Sequence, residues 1–365
     1  MTTNQYVHNI VKNFLTHFPI AYRSMQRVDH NDAPIFSSWH LEGSIWTHTM
    51  MVVSAMQSTA KHHKNIKELL VAALLHDVGK VYTREVNEEK QKVTFYGHPG
   101  FSTFLARDML NKIDPELTEK QQQYILYLVN HHQVLFNLTD SMTDKAFQKL
   151  VDKFDNEEGS FLLSDLMLLR DADSIGRIAT ADGALDKGKY NQLEGTLTDN
   201  FLNYSQEGPT KKDDSPKAVI MVGLPGAGKS SYITEHLANY TLVSRDAQIE
   251  HLAGDMDYNT AFNTVDQKEV DNLYEQAFSV AIQKKQDLVV DKTNLTHNSR
   301  MKSINRLRDN GYSIKINVLM PTLLEVGRRN KQRTGKVIPP DVMRRMMTTF
   351  EMPFPTEGSI SYIFS

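Results

Sequence analysis

Two sets of residues in this 365-residue chain are of types and spacings that do chemistry. The first is Gly223-Leu224-Pro225-Gly226-Ala227-Gly228-Lys229-Ser230, which meets the pattern G-x-x-x-x-G-K-[ST] at every fixed position. Its glycines let consecutive backbone N–H groups face phosphate oxygens at the positive end of a following helix. Lys229 would then reach the β and γ phosphates of a nucleoside triphosphate, and Ser230 would give its hydroxyl to Mg²⁺. The second set is dispersed: His48, His76 with Asp77, His98, His131 with His132, and Asp173. Imidazoles mixed with carboxylates suit divalent Mn, Fe, Co, Ni or Zn. Such an ion lowers the pKa of a bound water and polarises a phosphoryl oxygen, so hydrolysis needs no protein nucleophile.

Each set requires particular elements to position it. Lys217 to Val222 reads as a buried strand and Ser231 to Asn239 as a helix, the strand, loop and helix order that the first motif demands. Further strands are expected at Tyr240 to Val243, Asp287 to Val290 and Tyr312 to Leu319, with a helix at Ser299 to Asn310. This alternation predicts a parallel sheet, whose strand ends would present Asp246 and Asp291 at the ligand edge. Helix N-capping is the other reading of each of these carboxylates. The histidines and acids of the second set sit at the ends of apolar helical runs, such as Ile66 to Leu75 before His76 and Tyr124 to Val129 before His131. A helical bundle can converge them on one point. A lone helix-terminal histidine more often caps carbonyls, so it is the series that points to metal. His8, His17, His30, His62 and His63 have no motif around them and read as surface, and His40 as a substrate contact or a core or capping residue.

Composition fits two domains. The chain is longer than a single core usually supports, and 40% hydrophobic with 23% charged residues is a globular balance. There are no cysteines, which excludes disulfides and zinc-thiolate sites and points to the cytoplasm. No apolar run is long enough to cross a bilayer, and the polar stretch Met1 to Asn13 lacks a signal-peptide layout. Charge divides unevenly: residues 211–365 hold 21 Lys+Arg and 18 Asp+Glu, residues 1–210 hold 20 and 26, and 11 of the 14 histidines lie before residue 211. A polar, breaker-rich linker is expected at residues 204–216, between domains at 1–203 and 217–365. A fragment of about residues 1–207 is accordingly expected to keep its own activity.

The series His48, His76-Asp77, His98, His131 or His132, and Asp173 resembles the HD-domain metal phosphohydrolases. Glu42 to His48, Leu75 to Lys80, and Asp173 with Gly176 and Arg177 look like the HD domains of CCA-adding tRNA nucleotidyltransferases. The resemblance implies an all-α helical bundle with one or two divalent ions, catalysis involving Asp77, and Lys80 neutralising phosphate oxygens. The spacing of Gly176-Arg177 favours Asp173 over Asp171 as the last ligand.

The second half resembles the bacteriophage-type polynucleotide 5′-kinases over Ser244-Arg245-Asp246, Asp291 with Thr293-Asn294, Arg329-Asn330 with Arg333, and a helix from Val337 to Met346. It implies an α/β P-loop NTPase fold with a parallel sheet and helical lid, and Asp246 as general base for a 5′-hydroxyl. Lys229, Arg329 and Arg333 would hold ATP phosphates, with Gly223 to Ser231 as the ATP site and Ser230 on Mg²⁺. Where that family has an arginine three residues after the base, this chain has Ile249. Arg245, Arg300, Lys302 and Arg306 are the other cations for the acceptor.

Together the halves resemble HD-domain polynucleotide kinases that heal RNA ends. The implied function is 2′,3′-cyclic phosphodiesterase and 3′-phosphatase with an ATP-dependent 5′-hydroxyl kinase, acting on RNA and also DNA. Its implied functional partner is an RNA ligase. Homo-oligomerisation is left open, as is a phage source acting in the host cytoplasm. The alternatives are a nucleotide-pool nucleotidase fused to a small-molecule kinase, and a regulatory nucleotide sensor.

Overall fold

The computed structural model describes residues 1–179 apart from 38, 137 and 139–141, residues 192–193, and residues 215–364 apart from 334. All but the last two residues of the expected linker lie outside this set. The chain divides into two compact units, Met1–Glu207 with Met347–Met352, and Gly208–Met346 with Pro353–Ser365.

The first unit is helical. Its helices are α1 (Thr3–His17), α2 (Pro19–Arg27), α3 (Ile45–Thr59), α4 (Ile66–Leu75) and the single turn α5 (Lys80–Thr83). A small antiparallel hairpin of β1 (Glu85–Asn87) and β2 (Lys92–Thr94) interrupts the all-α pattern. There follow α6 (His98–Ile113), α7 (Glu119–His131), α8 (Asp144–Val151) and α9 (Glu157–Ile175). α4 is the axis of the bundle, because every residue from Leu69 to Leu75 is buried. A helix apolar on all sides must be covered on all sides, and α1, α3, α6, α7 and α9 supply that cover.

Residues Met347–Met352, which sequence assigns to the second half, pack with this first unit. Asn130 of α7 donates to Phe350 O at 3.2 Å and accepts from Met352 N at 2.8 Å. Phe350 and Met352 are buried, and the Phe350 ring lies 4.8 Å from that of Phe104. A Cβ on Gly100 would stand 2.5 Å from Met347 O.

The second unit is built on a parallel sheet of β3 (Lys217–Val222), β4 (Thr241–Ser244), β5 (Leu288–Asp291), β6 (Ser313–Leu319) and β7 (Ser359–Ile363). Among the described residues the order is β4-β5-β3-β6-β7. Every neighbouring pair is parallel. Between the strands run α10 (Lys229–His236), α11 (Arg245–Ala253), α12 (Tyr258–Thr264), α13 (Gln267–Gln283), α14 (His297–Asp309), α15 (Leu323–Gln332) and α16 (Pro340–Thr348). The expected helix at Val337 begins at Pro340 instead, since a proline fits the first turn, where its missing N–H is not needed. Residues 217–222 are a nearly continuous apolar run because β3 is central and covered on both faces.

Arg300 of α14 is fully buried and makes a fork with Glu357, Nε to Oε2 at 2.6 Å and Nη2 to Oε1 at 2.9 Å. That pair removes Arg300 from the candidates for acceptor binding. Burial alone would raise the Glu357 carboxyl, but hydrogen bonds from Arg300 and His297 lower it to about 2.

The fragment expected to stand alone, residues 1–207, lacks Phe350 and Met352. Burying each is worth about 1.5–3 kcal/mol, so the fragment should melt on the order of 10 °C below the same unit in the full chain. Differential scanning calorimetry of both checks this. For Glu357, whose carboxyl is depressed in the fold, the pair's contribution is full above the unfolded value of 4.5 and is lost as pH falls through about 2. The stability gap between wild type and Glu357→Gln should therefore narrow by about 3 kcal/mol between pH 6 and pH 2. Denaturant titrations across that range measure it.

Candidate metal centre and phosphate-binding loop

In the first unit the Asp77 carboxylate sits at the junction of four imidazoles. Its Oδ2 lies 3.3 Å from His76 Nε2 and 3.5 Å from His48 Nε2, while Oδ1 lies 3.1 Å from His98 Nε2 and 3.8 Å from His132 Nε2. Asp173 Oδ1 is 3.1 Å from His48 Nε2. All six side chains are buried. The arrangement makes two ligand groups that share one carboxylate, His48-His76-Asp77 and Asp77-His98-His132.

Local backbone sets the tautomers. His76, His98 and His132 each place Nδ1 2.8 Å from the carbonyl three residues earlier, of Ala73, Phe95 and Val129. His48 Nδ1 lies 3.1 Å from Gly176 O and 2.9 Å from Glu42 Oε1. An Nδ1–H held this way leaves the Nε2 lone pair for a cation. The motif glycines are needed for close approach: a Cβ on Gly79 would lie 2.6 Å from Ser102 N, and one on Gly176 2.6 Å from Val52 N.

The cluster fits a divalent ion. His48 Nε2, His76 Nε2, both Asp77 oxygens and Asp173 Oδ1 are buried without a regular hydrogen bond and, apart from the Lys80 ammonium on Asp77, face only the rings and acids of the cluster, a condition that costs free energy unless a cation satisfies it. Charge agrees, since Glu42, Asp77 and Asp173 face Lys80 and the more distant Arg177. Burial would raise Asp77, but His76 and the Lys80 ammonium hold it well below the usual carboxylate range. Burial lowers His98, and it lowers His132 to about 3 with help from the neighbouring imidazoles. These rings are neutral, as ligands must be. His48 is the exception, because Asp173 and Glu42 outweigh its burial and raise it to about 9. That proton leaves when Nε2 takes an ion, since a ligand imidazole must be neutral.

Lys80 Nζ is 2.7 Å from Asp77 Oδ2 and 3.2 Å from His30 Nε2. His30, which reads as a surface residue in the sequence, is buried. Ile45 N donates to Val28 O and His30 N to Gly43 O, a pairing that folds the segment before α3 back against it. No spacing in the sequence signals that reversal. His40 stacks on His30 at 4.2 Å and 10° and is held by Glu42 Oε1 at 2.8 Å. Glu42 was the other omission, although an acid two residues from His40 and six from His48 is a usable signal. His131 does not join the cluster. Its Nε2 lies 3.1 Å from Met352 O, and it is His132, one helical step on, whose Nε2 faces Asp77. His63, also read as surface, is half-buried, with Nε2 3.2 Å from Asp165.

In the second unit the loop after β3 carries left-handed glycines, including Gly228 at φ +98° as the N-cap of α10. Lys229 Nζ donates to Gly223 O at 2.9 Å and Leu224 O at 3.1 Å. Burial lowers it to about 8, with Asp291 acting the other way. Asp291 pairs in register with Ser244, and Asp246 follows two residues later in the first turn of α11. Tyr258 Oη donates to Asp246 Oδ1 at 2.8 Å. Burial raises the Asp291 carboxyl, with Lys229 opposing and Asp246 adding to the rise. Arg329 Nη1 donates to Ala227 O at 3.2 Å, so this side chain lies on the loop. Arg333 is not on the helix with it, because α15 ends at Gln332 and Arg333 is its C-cap. Its charge still reaches Lys229. Ser230 and Ser231 are exposed at the opening of α10.

Ile249 is buried with Ala253, Ala261 and Val270, so the position that carries an acceptor-binding arginine in polynucleotide 5′-kinases is core here. Of the substitutes, Arg245 is engaged by Asp271 and Gln267, and Arg306 by Glu275 and Ser279. Lys302 is exposed.

Family models match the two regions separately: an HD domain over residues 45–177 and an AAA domain over residues 219–353. The chain thus joins a region that matches the HD domain to a P-loop region that matches the AAA domain. Solved structures similar to part of it include a sugar kinase from Janibacter sp. HTCC2649, at 14% identity, covering 40% of this chain and 84% of that one with a TM-score of 0.29. A gluconokinase from Sinorhizobium meliloti 1021 matches at 16% identity over 40% of this chain and 83% of its own, with a TM-score of 0.26. Likeness at that level bears on neither substrate nor mechanism. No helix among the described residues is long and apolar enough to cross a membrane.

Replacing Asp77 by Ala removes the carboxylate common to both ligand groups. Metal content by elemental analysis should fall to background, whereas His131→Gln should leave it unchanged. Retention of metal by Asp77→Ala would refute the assignment.

Proposed function

We propose that this protein heals broken RNA: the HD site removes 2′,3′-cyclic or terminal phosphate from one end, and the P-loop site phosphorylates the 5′-hydroxyl of the other. The observation that supports it is the coexistence, in one chain, of a carboxylate-bridged imidazole cluster and a triphosphate-binding loop with a carboxylate beside it. Ribonucleolytic breaks leave ends that need both reactions before a ligase can act.

At the HD site, Mn, Ni, Co, Fe or Zn held by His48, His76, Asp77, His98, His132 and Asp173 would supply an activated water and polarise the phosphoryl group. Lys80 carries the nearest fixed cation and neutralises a phosphate oxygen. His40, oriented by Glu42, faces the same cluster. Nothing in the chain need act as a covalent nucleophile.

At the kinase site, Asp246 accepts the proton of the attacking hydroxyl, and Tyr258 fixes the carboxylate for that task. Phosphoryl transfer depends mainly on positioning and on stabilising charge. Lys229, Arg329 and Arg333 provide that charge around the loop, with Mg²⁺ on Ser230. DNA with a 5′-hydroxyl fits the same acceptor chemistry.

One RNA with a ribonuclease nick, incubated with the full chain, Mn²⁺ and with or without ATP, tests the proposal. Loss of the terminal phosphate should be independent of ATP, and 5′ phosphorylation should require it. Lys229→Ala and Asp246→Asn should each lower the kinase rate by roughly 10²-fold or more and spare hydrolysis. Phosphorylation of free nucleosides or sugars but not of oligonucleotides would replace this reading with a small-molecule kinase.

A further inference from the structure

We propose that the exposed indole of Trp39, backed by Arg177, is a stacking platform for the last nucleobase of the polynucleotide end that enters the HD site. This rests on the RNA-end reading and names how that site recognises its substrate. The chain has two tryptophans. Trp46 is half-buried and occupied, stacked on Phe14 at 5.6 Å and edge-on to Tyr22 at 4.9 Å. Trp39 is 46% exposed, which leaves a large apolar ring in water beside a polar, charged cluster.

The loop that carries Trp39 is fixed rather than incidental. Leu41 N donates to Ile178 O at 2.8 Å, and Ile178 N donates to Glu42 Oε2 at 2.9 Å. These bonds hold residues 41–42 against the residue that follows Arg177. The Arg177 guanidinium lies 5.7 Å from the Trp39 centroid and 4.9 Å from that of Phe136, and donates to Ser174 Oγ at 3.0 Å. The ring is thereby aligned by a cation on which aromatic faces stack. The next residue, His40, stacks on His30 and is edge-on to His48 at 4.9 Å. An aromatic surface therefore begins one residue from the rings that border the metal cluster.

The partner follows from charge and shape. A ligand whose phosphate is drawn to Lys80 and Arg177 and whose attached flat ring reaches Trp39 is a nucleotide. Stacking on an aromatic side chain accepts any base, because every base has a π-face. The platform therefore recognises a nucleic-acid end without reading its sequence.

Two measurements on the full chain test it. In a Trp46→Phe background, Trp39 is the sole tryptophan. Its fluorescence should be quenched on adding an oligoribonucleotide with a 3′-phosphate, and much less by the same oligonucleotide with an abasic terminal nucleotide. In hydrolysis assays, Trp39→Ala should raise KM for the base-bearing end roughly 10- to 100-fold, leave the abasic end unchanged, and keep kinase activity. Trp39→Phe should restore most of the loss. Equal quenching by both oligonucleotides, or equal effects of Trp39→Ala on both, overturns the platform while leaving the RNA-end reading intact. If the wild-type protein hydrolyses neither end, the RNA-end reading falls and the platform with it.

Discussion

A single buried carboxylate organises the first unit. Asp77 stands where four Nε2 atoms and one ammonium converge, within 3.8 Å of each. Unpaired, such a charge in an apolar bundle is among the most costly features a fold can carry. The surrounding architecture answers to that cost. α4, buried on every side, delivers His76 and Asp77, Gly79 admits α6 at close range, and Gly176 does the same for α9 against α3. Backbone carbonyls three residues upstream hold three of the rings, so the helix termini themselves choose which nitrogen faces the acid.

Much of this was legible in the sequence because helix ends are. Apolar runs that stop at a histidine or an Asp name both the element and its functional tip, and His48, His76, Asp77, His98 and Asp173 meet as their positions suggest. The ambiguity of His131 and His132 was of another kind. Adjacent residues on a helix point about a third of a turn apart, and only the location of Met352 O decides which ring turns inward. His30 and Glu42 lie in irregular chain, where no period constrains direction. They were brought in by backbone pairing between residues 28–30 and 43–45, a reversal without a recognisable turn sequence.

In the second unit the loop glycines, Lys229 and the strand-end acids were legible for the same reason, since strand, loop and helix order ties each to one edge of the sheet. Packing changed the reading of the cations. Arg300 reads as a free positive charge and is instead the buried partner of Glu357. Ile249 looks like a missing contact and is a core residue of the α11 to α13 cluster. Sequence displays charge at a position, whereas its availability is decided by what lies opposite.

The placement of Met347–Met352 in the first unit has a consequence for synthesis. A ribosome releases the residues of α3, α4 and α6 well before the backbone groups that engage Asn130 and cover Gly100, Phe350 being made 220 residues after Asn130. The HD bundle therefore folds at reduced stability while the chain is growing, and reaches its full packing only after residues 347–352 are made, although domains placed first in a chain usually fold first. A message cut short within the second half would yield a first half of lowered stability. Gene-level exchange of the P-loop half for another domain would have to carry these six residues along.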